Sequence, residues 1–272
     1  MSNDIAKTNP SNKITFSAFI TSTGMKNKIN QIIGDEKSGN RFISSIISAV
    51  STNPALAECD NASIVSGALL GESLKLSPSP QLGNYYLVPF NDKNRGKVAQ
   101  FQLGWKGYYQ LALRSGQYKK LNVIEIKDGE LVSWNPLEEE LKVNIIEDDE
   151  KRVKLKTIGY YAFYENIQGF RKAIYWSREK MEAHANQYSQ GYKARKGFTF
   201  WEKNFDEMAK KTMLRQLISK YGVMSIDMQN AYESDMAYIH EDGTKEYVDN
   251  TEYEDEIFDA TYEETKSLDD IE

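Results

Sequence analysis

The spacing of apolar residues changes twice along the chain, and these changes constrain the fold more than any other feature. From Ile14 to about Lys75, apolar residues recur every three or four positions, which is typical of helices. From Tyr85 to Trp176 they alternate or form short runs, which is typical of strands, and from Ser177 to Tyr221 the helical spacing returns. This order of elements predicts an α+β fold: helices come first, antiparallel strands with one inserted helix follow, and helices return at the end.

Turn signals divide these regions further. A helix is expected to begin near Asp60 or Asn61, and the prolines in residues 77–83 separate it from the first strand. The loop of residues 91–97 joins the first two strands as a hairpin. The predicted strands are Tyr85–Phe90, Val98–Leu103, Leu121–Lys127, Leu131–Trp134, Leu141–Ile146, Lys154–Tyr164 and Gly169–Trp176, and the predicted closing helices are Ser177–Gln190 and Phe200–Tyr221.

Opposite charges are segregated along the chain, although the net charge is only −6. Residues 227–272 contain 17 acidic and 2 basic residues, whereas residues 1–226 contain 32 basic and 23 acidic residues. A basic body is suited to bind a polyanion, and an acidic tail is typically solvated. We therefore expect a disordered N-terminus (1–13), a core (14–226) and an acidic flexible tail (227–272).

The composition also excludes several classes of protein. Cys59 is the single cysteine, so no disulfide forms within the chain and a reducing, cytoplasmic setting is expected. His184 and His240, with one cysteine, are too few for a usual zinc site. No apolar run is long enough to span a membrane, and residues 1–13 lack the apolar core of a signal peptide. We therefore expect no metal site and no membrane partner.

The inserted helix lies in the stretch WKGYYQLALRSGQYKK (Trp105–Lys120), which carries four bases and no acid. The face expected in the core carries Trp105, Tyr108, Leu111 and Ala112. The opposite face carries Lys106, Gln110 and Arg114 with no acid within helical reach, so it is either a solvated polar face or a binding surface. Gly107, beside that face, would let a bound backbone come close, and Tyr109 is left unassigned.

Two neighbouring segments favour binding. Residues 73–124 contain eight bases and one acid, whereas ordinary surfaces mix both signs. This run includes Lys119 and the hairpin-loop bases Lys93, Arg95 and Lys97. In residues 191–201 bases alternate with aromatic residues, and since bases neutralise phosphates while rings stack on nucleobases, the pattern is typical of single-strand nucleic-acid binding. The candidates in this segment are Lys193, Arg195, Lys196, Phe198 and Phe200.

The last predicted helix is apolar almost all round and is therefore expected to be largely buried, beginning at a capping box of Thr199 and Glu202. Arg215 has no acid within helical reach, so its guanidinium needs a distant carboxylate or a phosphate, and its shape suits phosphate. Two lysines of this helix either contact phosphate or pair with acids one turn earlier, Asp206 with Lys210 and Glu207 with Lys211.

Motifs of the main enzyme classes are missing from the sequence. Residues 34–39 have the glycine spacing of a phosphate-binding loop, but Asn40 occupies the lysine position. A metal-dependent nuclease is one alternative, because Glu125 and Lys127 have E-x-K spacing on a predicted strand and Asp92 would supply a second acid. The same alternation is typical of a strand with one solvated face. We therefore expect a protein that is not an enzyme.

Three stretches resemble the RecT-type phage single-strand annealing proteins, in matching order: LKLSPSPQLGNYYLVPF (Leu74–Phe90), QLGWKGYYQLALRSGQ (Gln102–Gln117) and WEKNFDEMAKKTMLRQLISKY (Trp201–Tyr221). The resemblance covers about residues 61–222. The family often has a second base beside Arg114 and beside Arg215, where this chain has Leu113 and Gln216. Fewer charges would therefore hold phosphates here.

The resemblance implies a curved antiparallel sheet packed by N-terminal and C-terminal helices, with DNA in a basic groove. It also implies ATP-independent annealing for homologous recombination, in which the protein coats single-stranded DNA, pairs it with a complementary strand and holds the duplex in an oligomeric ring or helical filament. The implied partners are a phage 5′→3′ exonuclease and the host single-strand-binding protein, in the bacterial cytoplasm. No cofactor is required, and Mg²⁺ serves only as a counterion.

In this interpretation the core carries both DNA binding and oligomerisation. Residues 14–75 supply either protomer contacts or ordinary core, and the acidic tail is a solvated segment, a competitor for the groove or a docking site for a partner. The alternative from another class is a passive single-strand DNA-binding protein. The predicted DNA-binding residues are Lys106, Arg114, Arg215, Lys210, Lys211, Gln110, Gly107, Tyr109, Lys93, Arg95, Lys97, Lys119, Lys193, Arg195, Lys196, Phe198 and Phe200.

Overall fold

The structure is a computed structural model that describes residues 14–92, 95–197 and 199–247. The helices in these ranges are α1 (Phe16–Ile20), α2 (Thr23–Ile33), α3 (Glu36–Ser51), α4 (Pro54–Ala57), α5 (Asn61–Ser73), α6 (Trp105–Arg114), α7 (Asp149–Arg152), α8 (Arg178–Tyr188), α9 (Gln190–Lys193), α10 (Phe200–Lys203), α11 (Phe205–Tyr221) and α12 (Ile226–Ser234). The strands are β1 (Tyr85–Asp92), β2 (Gly96–Leu103), β3 (Tyr118–Lys127), β4 (Leu131–Asn135), β5 (Glu140–Val143), β6 (Thr157–Asn166), β7 (Arg171–Ser177), β8 (Ala237–Ile239) and β9 (Lys245–Tyr247).

Side chains at the start of several helices hold their first turn. Asp35 caps α3 and Asp60 caps α5, each accepting a hydrogen bond from the backbone N–H three residues later. The predicted start of the helix near residue 60 is confirmed. Thr199 and Glu202 form the predicted capping box at α10.

The strands form three antiparallel sheets, in the orders β1-β2-β8-β9, β3-β6-β7 and β4-β5. The α+β class is confirmed, with the strands divided among three sheets. Strand β1 pairs with β2 along its whole length, from Tyr85 opposite Leu103 to Asp92 opposite Gly96. The predicted hairpin is therefore confirmed, and its second strand leads directly into α6.

The N-terminal helices pack onto the first sheet. On α5, a side chain at Gly67 would collide with Leu87, and one at Gly71 would collide with Tyr85, so the two glycines let the helix lie against β1. The Tyr85 ring stacks on Phe101 of β2 with 5.1 Å between centroids. Buried side chains of α2 and α3 belong to the same core, so the inner faces of these helices are ordinary core.

Helix α11 packs between α6 and the sheet of β3, β6 and β7. Its buried side chains include Ala209, Met213, Leu214, Leu217 and Ile218, which confirms that this helix is largely buried. One detail of the prediction was wrong. The continuous helix expected from Phe200 to Tyr221 is broken at Asn204, whose backbone (φ −137°, ψ 53°) separates α10 from α11.

The acidic tail was predicted to be flexible from residue 227, and for residues 227–247 this was wrong. Helix α12 and strands β8 and β9 lie in this segment, and Ala237 of β8 is buried opposite Phe101 of β2. The two strands complete the first sheet, so the folded body extends to residue 247. The predicted disordered N-terminus (1–13) and the rest of the tail (248–272) lie outside the described residues.

Within residues 14–92, 95–197 and 199–247, no helix is both long enough and apolar enough to cross a bilayer.

Candidate nucleic-acid interface

Helix α6 has the two faces that its sequence predicts. Tyr108, Leu111 and Ala112 are buried, whereas Lys106, Gln110 and Arg114 are exposed. Trp105, which was expected on the core face, is half-buried at the N-terminal end of α6 and lines two neighbouring cavities.

The larger cavity, of about 480 Å³, runs along the exposed side of α6. It is lined by Lys106, Tyr109 and Gln110 from the helix and by Asn122 of β3. Tyr109 is half-buried, and its hydroxyl donates to the Leu121 carbonyl oxygen at 2.7 Å, so its ring is fixed along the cavity wall.

The smaller cavity, of about 220 Å³, shares Trp105 with the larger one. Tyr86 of β1 and Phe200 of α10 face it, with 6.1 Å between their ring centroids. The two cavities share Trp105, and four rings line them in all. We call this surface the aromatic groove, and it is defined by Tyr86, Trp105, Tyr109, Phe200, Lys106 and Gln110.

Lys106 is the exposed cation of the aromatic groove. Its ammonium lies 5.8 Å from the centroid of the Trp105 ring, close enough for a cation–π interaction. Among the ion pairs of the described residues, none involves Lys106. The charge of Lys106 is therefore not neutralised by a carboxylate of the described residues.

The other end of the predicted stripe has a structural role. The Arg114 guanidinium donates to the carbonyl oxygens of Leu74 at 2.6 Å and Lys75 at 3.3 Å, which follow the last turn of α5. Those carbonyls lack helical partners, so Arg114 satisfies them. Arg114 therefore joins α6 to α5 as well as contributing charge near the groove.

Gly107 was expected to admit a bound backbone, and this was wrong. A side chain at Gly107 would collide with the carbonyl oxygen of Asn84, so the backbone that comes close belongs to the protein itself. The residue is buried and lets α6 lie against the segment that precedes β1.

The pairing predicted for Lys210 was also wrong. Its ammonium contacts Glu207 at 2.5 Å and Glu125 at 3.4 Å, and lies 5.0 Å from the centroid of the Trp105 ring. Asp206 instead contacts Arg178 at 3.3 Å. Glu207 also accepts a hydrogen bond from the Trp105 indole N–H. Lys210 and Glu207 therefore fix the position of the Trp105 ring.

Lys211 and Arg215 do not lie free at the surface. Both contact Asp235, from Lys211 Nζ to Oδ1 and from Arg215 to Oδ2, each at 2.8 Å, and the Asp235 side chain is fully buried. These three residues form the buried ion cluster. The direct phosphate contact predicted for Lys211 is contradicted, because its side chain is 8% exposed and its ammonium is bound to a carboxylate.

The carboxylate of Asp235 also organises the backbone around it. It accepts hydrogen bonds from the Leu103 N–H at 2.9 Å and from the Tyr108 hydroxyl at 3.2 Å. Burial opposes ionisation, but the adjacent cations Lys211 and Arg215 hold the pKa of Asp235 below its usual value. Asp235 thus ties together β2, α6 and α11, the elements that frame the aromatic groove.

A second group of free cations lies just before α10. Lys193, Arg195 and Lys196 are exposed, and none of the ion pairs within the described ranges involves them. These three residues form the basic turn. The Gly197 N–H donates to Glu202 at 2.8 Å, which fixes the turn against α10, where Phe200 reaches the aromatic groove. Phe198, the other ring predicted here, lies outside the described residues.

The remaining predicted cations have acidic partners where the structure describes them. Arg95 contacts Glu246 at 2.8 Å, and Lys97 contacts Glu58. Lys119 contacts Glu165 at 2.7 Å, as does its neighbour Lys120 at 3.4 Å. The hairpin loop is therefore not a set of uncompensated charges, because carboxylates distant in sequence fold onto it. Lys93 lies outside the described residues.

In the alternative nuclease site, Glu125 forms ion pairs with Lys127 and with α11. Glu125 contacts Lys127 at 2.5 Å and Lys210 at 3.4 Å. Burial raises the pKa of Glu125, but these two lysines outweigh it and lower the pKa overall. Within the described part of the chain, no group of three or more His, Cys, Asp or Glu residues is placed to hold a metal ion. The arrangement stabilises β3 against α11 and leaves Glu125 little free charge for a cation.

An α+β body with aromatic rings and an unpaired lysine along one groove, and with further free bases in the basic turn, has the surface expected of a protein that binds single-stranded nucleic acid. The model of the RecT family matches residues 40–252, more than half of the chain, and the chain belongs to that family. Membership makes it a phage recombination and annealing protein.

Two relatives match most of the chain. The uncharacterized protein YqaK of Bacillus subtilis (strain 168) is 38% identical over 248 residues, covering 90% of this chain and 79% of YqaK. Protein RecT of Escherichia coli (strain K12) is 29% identical over 222 residues, covering 80% of this chain and 79% of RecT.

Sequence reasoning missed the residues of the site whose neighbours are distant in the chain. Tyr86 was treated only as part of a strand, and Asp235 only as part of the tail. A signal was present for Asp235, since Arg215 required a distant carboxylate or a phosphate. No local pattern indicates that Tyr86 faces Phe200.

Proposed function

We propose that this protein anneals complementary single strands of DNA without ATP and holds one strand along the aromatic groove. The observation that carries the proposal is the set of four rings that line the two adjoining cavities, Tyr86, Trp105, Tyr109 and Phe200, with the unpaired Lys106 beside Trp105. Annealing needs no bond chemistry. It requires that repulsion between two phosphate backbones is reduced and that bases are held ready to pair.

Lys106 and the basic turn would supply the charge. Each lies on the protein surface and has no carboxylate partner among the described residues, so each can contact a phosphate at little electrostatic penalty. Contacts of this kind release counterions and make binding weaken as salt rises. They read the backbone and not the base edges, which suits a protein that must accept any sequence.

The rings would supply preference for single strands. Every nucleobase has an aromatic face, so stacking tolerates any sequence. In a duplex those faces are covered by neighbouring base pairs. The groove therefore makes fewer stacking contacts with a duplex than with an unpaired strand. When the bound strand pairs with its complement, it therefore loses contacts with the rings and gains base pairs.

The buried ion cluster supports this groove in an indirect way. Asp235 connects Leu103, which ends β2 beside the rings, to Tyr108 on the inner face of α6. Lys211 and Arg215 fix the same carboxylate to α11. We assign these two bases to the support of the groove.

Assembly would strengthen these contacts. A ring or helical filament multiplies weak contacts of single protomers by raising effective concentration. A phage 5′→3′ exonuclease would supply single strands. The protein would encounter the host single-strand-binding protein on those strands in the bacterial cytoplasm. No cofactor enters this scheme, and Mg²⁺ acts only as a counterion.

Two labelled, complementary oligonucleotides test the proposal. The protein is expected to accelerate their pairing in the absence of ATP, at protein concentrations that coat the strands. Protection of each strand without faster pairing would identify a passive single-strand-binding protein instead. Loss of intact strands on addition of Mg²⁺, abolished by Glu125→Ala, would restore the nuclease alternative.

A further inference from the structure

The smaller cavity of the aromatic groove is shaped to enclose one flat group. Its volume is about 220 Å³, and its lining includes the rings of Tyr86, Trp105 and Phe200. Phe200 is 38% exposed although it is a large apolar residue, so one wall is accessible from solvent. We call this cavity the ring pocket.

Polar groups meet at the same cavity. The side chain of Lys211, itself only 8% exposed, reaches the ring pocket from the buried ion cluster. Its ammonium donates to Asp235 at 2.8 Å, and an ammonium carries three donors, so further donors remain for an acceptor on an occupant. Gln102 and Asn204 also line the cavity, and an amide both donates and accepts.

The charge around the ring pocket argues against a phosphate as occupant. Glu207 is one of the residues that line the cavity, and Asp235 neutralises the charge of Lys211. A phosphate in the cavity would therefore lie near a residue with charge of its own sign and would find no free cation among the residues that line it. A nucleobase has the opposite properties, since it is flat and uncharged, with carbonyl and amino groups at its edge.

We propose that the ring pocket holds a single nucleobase that is turned out of the bound DNA strand, and this inference rests on the proposed function. The pocket adjoins the larger cavity at Trp105, so a strand lying along α6 reaches it when one nucleotide rotates away from its neighbours. An unpaired base leaves its stack readily because no partner strand holds it. The side-chain amides of Gln102 and Asn204 can donate to a carbonyl or accept from an amino group at the edge of a base. Any of the four bases therefore fits the pocket.

Binding of two oligonucleotides to the full-length protein tests the ring pocket. One is an ordinary single strand, and the other has the same backbone with abasic tetrahydrofuran residues throughout. Wild-type protein is expected to bind the ordinary strand more tightly. Phe200→Ala should weaken binding of the ordinary strand about five- to tenfold and leave the abasic strand unchanged, because stacking is lost and charge is retained.

Phe170→Ala is the matched control. Phe170 is 54% exposed and lies 6.1 Å from the Tyr164 ring, the same separation that Phe200 has from Tyr86, but it lies outside the groove. This variant should bind both strands as the wild type does. Equal loss for both strands in Phe200→Ala, or no loss for either, would overturn the ring pocket as a base site.

Photocrosslinking gives a second readout that does not depend on a variant. A strand carrying 5-iododeoxyuridine is expected to crosslink to peptides containing Tyr86, Trp105 or Phe200, and crosslinks confined to other peptides contradict the inference. The proposed function and the ring pocket can therefore be tested separately. If wild-type protein neither binds the ordinary strand nor speeds annealing, the proposed function fails; if it does both but lacks the Phe200 effect, only the ring pocket fails.

Discussion

Lys211 and Asp235 form an ion pair of 2.8 Å in which both side chains are buried, although 24 positions separate them in the sequence. The pair joins the long helix α11 to the segment that follows α12. It explains why a lysine is tolerated in the interior of the protein, since a buried charge requires a partner. It also makes part of the acidic C-terminal region necessary for the fold.

Replacement of Asp235 should therefore destabilise the protein strongly. Asp235→Ala leaves Lys211 and Arg215 without their carboxylate, and breaking a buried pair from one side costs about 3–5 kcal/mol of unfolding free energy. Urea unfolding measures the change. Lys28→Gln removes the surface pair with Glu241, whose side chains are 46% and 61% exposed, and should cost less than about 1 kcal/mol. Equal effects of the two variants would contradict the role assigned to Asp235.

Truncation separates the folded part of the C-terminal region from the remainder. A chain ending at Tyr247 retains Asp235, β8 and β9 and should unfold at the same urea concentration as the full chain. A chain ending at Ser225 loses them and should be unstable or insoluble. If the acidic residues 248–272 compete for the groove, the first truncation also binds single-stranded DNA more tightly. A stable chain ending at Ser225 would show that the C-terminal segment is dispensable.

His184 gives the protein a pH-dependent stability. It lies among Trp176, Tyr188 and Trp201, and burial, with the nearby Arg215 and Lys220 cations, lowers its pKa to about 4. The unfolded chain binds this proton below about pH 6.5, whereas the folded protein binds it only near pH 4. Stability is therefore retained above pH 6.5 and falls towards pH 4, by up to about 3 kcal/mol from this group.

Urea unfolding at pH 7, 6, 5 and 4 checks this expectation. His184→Phe should lose much less stability than the wild type over that range, whereas His240→Gln, which keeps His184, should decline with the wild type. A wild-type protein equally stable at pH 7 and pH 4.5 would contradict the burial of a neutral His184.

Much of α6 was predictable from sequence, because its pattern is local. The alternation of apolar and polar positions placed Tyr108 inside and Lys106 outside, and both assignments agree with the structure. Arg114 was exposed as expected, but its hydrogen bonds to carbonyls of Leu74 and Lys75 depend on how α5 packs. A helical wheel carries no information on such tertiary contacts.

The partners of the basic residues were less predictable for the same reason. Asp92 is the one acid in the sequence around Arg95 and Lys97, yet Arg95, Lys97 and Lys119 each have a carboxylate partner from a distant segment. The excess of bases in residues 73–124 is thus partly neutralised by acids from other segments. Only the folded structure shows which of these bases have no acidic partner, and Lys106 is one of them.

The salt dependence of DNA binding distinguishes a free lysine from a paired one. Lys106→Gln should weaken binding to single-stranded DNA of any sequence and reduce the slope of log affinity against log salt by about 0.7, the value for one phosphate contact. Lys97→Gln removes a lysine that already contacts Glu58 and should leave the slope unchanged. A larger change in the Lys97 variant than in the Lys106 variant would contradict the placement of the strand along α6.

The rate of annealing of two labelled complementary oligonucleotides, without ATP, is the decisive test of the proposed groove. Lys106→Glu places a negative charge beside the rings of the aromatic groove, and Lys142→Glu makes the same change on the exposed strand β5. The wild type and the Lys142 variant are expected to accelerate pairing equally, whereas the Lys106 variant should be slower by about tenfold, because a charge-assisted contact with the backbone is replaced by repulsion. Annealing by Lys106→Glu at the wild-type rate would contradict the claim that the strand lies in this groove.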